Sequence, residues 1–148
     1  MTARVGLMAL ALAMTPLIAT AAEEAPKLSC IKDVTYSQEF LQKNPKAPAA
    51  CREVVLKDGA KWIHFVGEVA KRKGNQVTID FENVAGDRLA TVVVEASPDA
   101  QLSLGGKMTK YSSLKSHDKI DVWMPESRFG FYAAPGQESA QLKVIERK

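Results

Sequence analysis

The sequence is poor in the residues from which active sites are usually assembled. It holds two histidines and two cysteines, and twenty residues separate the cysteines. That spacing is not the Cys-x-x-Cys of a disulfide oxidoreductase, and no histidine flanks either thiol, so neither a redox pair nor a metal site follows from it. No Gly-x-Ser-x-Gly occurs. Ser116-His117-Asp118 has the residue types of a hydrolytic triad, but consecutive residues cannot adopt its geometry. Positive charge is weak, +3 overall, and no aromatic strand of RNP type is present, which argues against nucleic acid as a partner. Long apolar runs are missing too. The longest, Val5 to Ile18, is fourteen residues where a spanning helix needs roughly 20, so stable membrane insertion is not expected.

What is present begins with that same run. One early positive charge at Arg4 precedes it, and Ala19-Thr20-Ala21 follows ahead of Ala22-Glu23-Glu24. This is the pattern of a secretory signal peptide over residues 1–21, cleaved near Ala21, and it places the mature chain in the periplasm or outside the cell. Lys27 stands three places before Cys30, where a lipoprotein would need a small or apolar residue. The remaining chain is of a size for one domain with a single core. In an oxidising compartment Cys30 and Cys51 are expected to pair, and closing a loop of that length stabilises a fold by about 3 kcal/mol.

Between the cysteines, Thr35 can cap a short helix with Gln38 three residues on, and Tyr36, Phe40 and Leu41 share its inner face. Asn44-Pro45 stops that helix, and residues 46–50 read as an extended connector. The helical flap and first strand thus occupy residues 22–59, and the rest of the domain residues 60–148. Arg52 to Leu56 reads as a strand and Asp58-Gly59 as a two-residue hairpin turn. Residues 62–95 then read as a three-stranded meander. In it Gln76-Val77-Thr78-Ile79-Asp80-Phe81-Glu82 alternates polar and apolar residues without a fault, so Val77, Ile79 and Phe81 point inward. Gly67 in mid-strand suggests a bulge or bend, and Lys71-Arg72-Lys73-Gly74-Asn75 an exposed turn. Leu89 to Val94 is apolar at nearly every position and is expected to be covered on both faces. Met108, Tyr111 and Leu114, three residues apart, fit a bridging helical turn or an irregular strand. Strands over 119–124 and 141–146 complete an all-β domain, a small antiparallel barrel or a two-sheet sandwich.

The phrase Leu114-Lys115-Ser116-His117-Asp118-Lys119-Ile120-Asp121-Val122 resembles the Leu-x-x-Gly-Asp-x-Val that introduces a strand in exported small β-barrel domains of OB-like or SH3-like kind. His117 departs from it, standing where glycine is usual. The resemblance covers roughly residues 60–147 and implies a fold and a tendency to bind ligands or partners, with no particular activity. No cofactor is expected.

Arg128-Phe129-Gly130-Phe131-Tyr132 supplies three aromatics and an arginine, the types enriched at binding hot spots, in a stretch that glycine and Pro135 keep out of regular structure. With Trp123 directed outward on the preceding strand, these residues form the candidate contact surface for an envelope protein or small ligand. The opposing possibility is that Phe129 and Phe131 plug one end of the barrel. Each histidine also has carboxylates near it in sequence, Glu68, Asp118 and Asp121, so a small envelope hydrolase using His64 or His117 is the other functional reading. Lys71-Arg72-Lys73 could meet anionic headgroups or polysaccharide, though such a tip is more often simply solvated. A monomer or weak oligomer is expected.

Overall fold

The computed structural model describes residues 26–74, 76–95, 101–128 and 140–147. The candidate signal peptide lies outside these residues. Eight strands form one sheet: β1 (Cys51–Lys57), β2 (Ala60–Lys73), β3 (Gln76–Glu82), β4 (Arg88–Glu95), β5 (Gln101–Leu104), β6 (Lys107–Lys110), β7 (Lys119–Pro125) and β8 (Gln141–Glu146). The ladder runs β4-β3-β2-β7-β8-β5-β6, with β1 attached to β2. Among the described residues its ends are not joined by hydrogen bonds.

The fourteen-residue β2 is the axis of the fold. Asp58 and Gly59 take positive φ, 51° and 78°, as a two-residue turn between twisting strands requires, and they fix β1 on one edge of β2 from Ala60 to Phe65. From Val66 onward that same edge is taken by β3, while β7 holds the other edge from Trp62 to Glu68. Because three strands use one register, the side-chain alternation of β2 sets the faces of all of them.

The inner faces of β2, β3, β4, β5, β7 and β8 meet in one hydrophobic cluster. Phe65 stacks on Phe81 within it, ring centroids 4.2 Å apart. The only α-helix among the described residues, α1 (Gln38–Lys43), is too short to cover a sheet this wide, and most of the core cluster comes from the strands themselves. α1 adds Phe40, and the 3-10 turn Ala47–Ala50 adds Ala47 and Ala50.

Gly67 lies where β3 approaches β2 closely. A Cβ there would lie 2.6 Å from the Asp80 carbonyl oxygen and 2.7 Å from Ile79 Cγ2, so glycine is required by contact with the neighbouring strand. Of the bulge or bend expected at Gly67, the bulge lies between Val69 and Lys71, and the β2–β3 register is unbroken at Gly67 itself. Gly67→Ala should cost about 1–3 kcal/mol, the range of overpacking, in urea denaturation. A neutral result would mean that β2 and β3 separate without penalty.

Cys30 and Cys51 form a disulfide with Cα atoms 5.9 Å apart, tying the flap to the start of β1. Tyr36 donates its hydroxyl to the Cys30 carbonyl at 3.0 Å, and burial pushes its phenol up to about 12. Other local expectations need correction. The helix cap is Ser37, whose Oγ accepts from Phe40 N at 3.2 Å; the Thr35 amide donates instead to Glu126 Oε1 at 2.7 Å. Residues 47–50 are a 3-10 turn, since two alanines after Pro48 allow a turn that an extended connector would not use. Lys71, Arg72 and Lys73 are strand, paired to β3, because the bulge lets an exposed charged segment continue the ladder. β4 buries one face only, with Thr91 and Val93 exposed. Met108 lies in β6, 64% exposed, whereas Tyr111 begins the 3-10 turn Tyr111–Ser113 and is buried.

The loop over residues 114–118 is pinned twice to β2. His117 N donates to Val69 O at 2.8 Å, and Val69 N donates to Asp118 O at 2.9 Å. His117 adopts φ 70°, the left-handed conformation for which glycine is favoured at this place in the resembling phrase. Asp118, 1% exposed, accepts from Lys115 N at 2.8 Å and from both Nε and Nη2 of Arg147, at 2.9 and 2.8 Å.

Candidate binding face

Residues of β2 and β7 that point away from the core form the outer face of the sheet. Two-residue hairpins pair their flanking residues by both hydrogen bonds, so Lys57–Ala60, Val55–Trp62 and Glu53–His64 are hydrogen-bonded pairs. On the other edge of β2 the alternation reverses, and His64 and Trp123 face each other as a non-hydrogen-bonded pair, the closer kind. Their rings accordingly stack, centroids 4.5 Å apart and 8° from parallel. Asp121, one rung along, places Oδ1 2.9 Å from His64 Nε2.

Trp62 lies on the same face, opposite Pro125, with Lys57 Nζ 5.9 Å above its ring. It is 6% exposed and yet stands outside the core cluster, so its burial is a feature of the outer face. Further along this face, Glu68 Oε1 lies 2.7 Å from His117 Nδ1, and Lys119 sits between Glu68 and Glu82, in contact with both.

Both histidines therefore meet a carboxylate, but separately. His64 and Glu68 are four residues apart on β2, about 13 Å at strand rise, so the two pairs do not converge on one centre. Asp118, the third candidate carboxylate, is bound by Arg147 instead. No cluster of three or more His, Cys, Asp or Glu side chains suited to a metal occurs among the described residues.

Of the candidate contact residues, Trp123 is half-buried on this face, and Arg128 ends the 3-10 turn Glu126–Arg128 that follows β7 directly. Phe129, Phe131 and Tyr132 lie outside the described residues. Glu126 anchors that turn, accepting from Thr35 N and pairing with Lys61 at 3.6 Å. Lys71, Arg72 and Lys73 are exposed at the far end of β2, away from the stacked rings. The His64–Trp123–Asp121 grouping was missed as a unit, because it depends on strand register; the alternation of residues 62–68 and 119–124 was its only signal. Among the described residues no helix is long and apolar enough to cross a membrane. No protein-family model matches the chain, and comparison with curated proteins and with solved structures gave no match.

Proposed function

We propose that this chain is a non-catalytic, exported binding module that takes an envelope protein or small ligand on the outer face of β2 and β7. The observation that carries the reading is the stacked His64–Trp123 pair, an aromatic platform on the side of the sheet turned away from the core, with Asp121 hydrogen-bonded at its rim. Aromatic anchors beside polar groups are the usual composition of a contact surface. Arg128, Phe129, Phe131 and Tyr132, next in the chain, extend this surface in the proposal. Export follows from the sequence pattern of residues 1–21 and is supported by the closed disulfide. The resemblance to small exported β-barrel domains is part of the same reading, supported by a loop that gives His117 a glycine-like conformation.

The His64–Asp121 contact also favours a second reading, a small envelope hydrolase with His64 as general base. Affinity capture from a periplasmic extract separates the two. Trp123→Ala and Tyr132→Ala should each reduce captured material at least tenfold with a small change in melting temperature, and His64→Gln, which can still stack and hydrogen-bond, should retain most of it. Unchanged capture by both truncations would sink the binding reading. Hydrolysis of envelope material abolished by His64→Gln would establish the enzyme.

A further inference from the structure

At the end remote from the stacked rings, β2 outruns β7. Its pairing with β7 stops where Glu68 meets Lys119, whereas its pairing with β3 continues until Lys73 meets Gln76. Gly74, at φ 60°, turns the chain there. The projecting arm carries three consecutive cations, all exposed. Residues opposite one another in a strand pair share a face, so Lys71 and Lys73 stand with Thr78 and Gln76 on the outer face, and Arg72 stands with Val77 on the other. A fourth cation meets the arm at its unpaired edge. The loop over residues 114–118 is hydrogen-bonded to Val69 through His117 N and Asp118 O, which brings exposed Lys115, two residues from His117, to the base of the arm.

The carboxylates nearby are engaged elsewhere. Glu68 contacts His117 and Lys119, Asp118 holds Arg147, and Asp80 meets Arg88 and the Thr91 hydroxyl. Glu95, opposite Gln76, is half-buried at the end of β4. Among the described residues no carboxylate forms an ion pair with Lys71, Arg72, Lys73 or Lys115. Arg72 Nη1 donates only to the Gly74 carbonyl, at 3.3 Å.

We propose that this arm docks end-on against an anionic lipid surface. Cations on both faces and along one edge of a convex tip do not line a single groove, and no aromatic side chain stands among them, so one sugar chain or one phosphate would meet only some of them. A flat array of headgroup phosphates meets all four together. Strand pairing holds the arm in place before contact, which keeps the ordering cost of binding low. Residues 70–74 carry no large apolar side chain to insert, so the contact is peripheral and electrostatic, and salt screens it.

The test uses the intact disulfide-bonded protein and vesicles of phosphatidylcholine alone or mixed equally with phosphatidylglycerol. At low salt the protein should sediment with the anionic vesicles and not with the neutral ones, and about 1 M salt, where the screening length is about 3 Å, should release it. Each of Lys71→Gln, Arg72→Gln, Lys73→Gln and Lys115→Gln should weaken partitioning about fivefold, and the four together roughly 500-fold. Lys32→Gln removes an exposed cation at the opposite end of β2, next to Asp33, whose carbonyl accepts from Lys61, and should leave partitioning unchanged. A headgroup spin label gives a readout that needs no variant: it should broaden the amides of Lys71 to Gly74 and of Lys115 first. Broadening centred elsewhere, or an equal loss with Lys32→Gln, overturns the proposal. So does binding to an isolated polygalacturonate chain as tightly as to the vesicles, which would make the partner a polysaccharide.

Discussion

Asp118→Ala should lower stability by about 2–4 kcal/mol at neutral pH, the largest loss expected from any polar position. Breaking a buried ion pair costs about 3–5 kcal/mol, and the lower range applies because Arg147 stays partly in water. Asp118 holds together three separated parts of the chain: its backbone pins Val69 of β2, and its carboxylate takes the Lys115 amide and the Arg147 guanidinium beyond β8. Burial alone would raise its carboxyl. The Arg147 hydrogen bonds, the Lys115 amide and the Arg147 charge outweigh burial and hold the group below the usual carboxylate range. For a lowered carboxyl, the stabilisation is complete above the unfolded value of about 3.9 and is lost as pH falls through the folded value. The melting-temperature gap between wild type and Asp118→Ala should therefore be flat from pH 5 to 8 and close in the acid region below about pH 4. A gap that closes near pH 6, or a gap absent at pH 7, would mean that the Arg147 contact does not stabilise the fold.

Asp118 also marks a limit of reading from sequence. Its partner Arg147 lies 29 residues away, and neither residue carries a local signal for the other. By contrast, features set by neighbouring residues were legible. The alternation of residues 76–82 gave β3 its faces, Asp58-Gly59 its hairpin, and the two cysteines their bond. The capping pattern Thr35-x-x-Gln38 points two residues too early: Ser37 takes the cap, and the Thr35 amide is held to Glu126, far away in sequence. Lys71 to Lys73 looked like a turn because charge and exposure suit turns, yet a bulge suffices to keep an exposed charged segment in a ladder.

The candidate site divides along the same line. Trp123 was legible as outward because its strand alternates. Its stacking on His64 was not, since that follows from which rungs of the β2–β7 pair lack hydrogen bonds, a consequence of a hairpin two strands away. Trp62 is buried on that outer face although it stands outside the core cluster, and no local feature of the sequence signals this.

Ile79→Ala should cost about 2–5 kcal/mol, whereas Thr78→Ala, one residue away, should cost under about 1 kcal/mol. Ile79 is fully buried between Val69 of β2 and Val92 of β4, and truncation leaves a cavity that flanking backbone, tied on both edges, cannot close. Thr78 points to the opposite, half-exposed face. Equal losses at the two positions in urea denaturation would mean that the faces of β3 are wrongly assigned. Combining Ile79→Ala with Gly67→Ala sharpens the test, because these residues share a contact. Removing Ile79 Cγ2 clears the 2.7 Å clash that a Cβ at residue 67 would make, but the Asp80 carbonyl at 2.6 Å remains. The double variant should therefore be destabilised by less than the sum of the single changes and by more than Ile79→Ala alone. Strict additivity would show that Gly67 is held by the neighbouring backbone and owes nothing to Ile79.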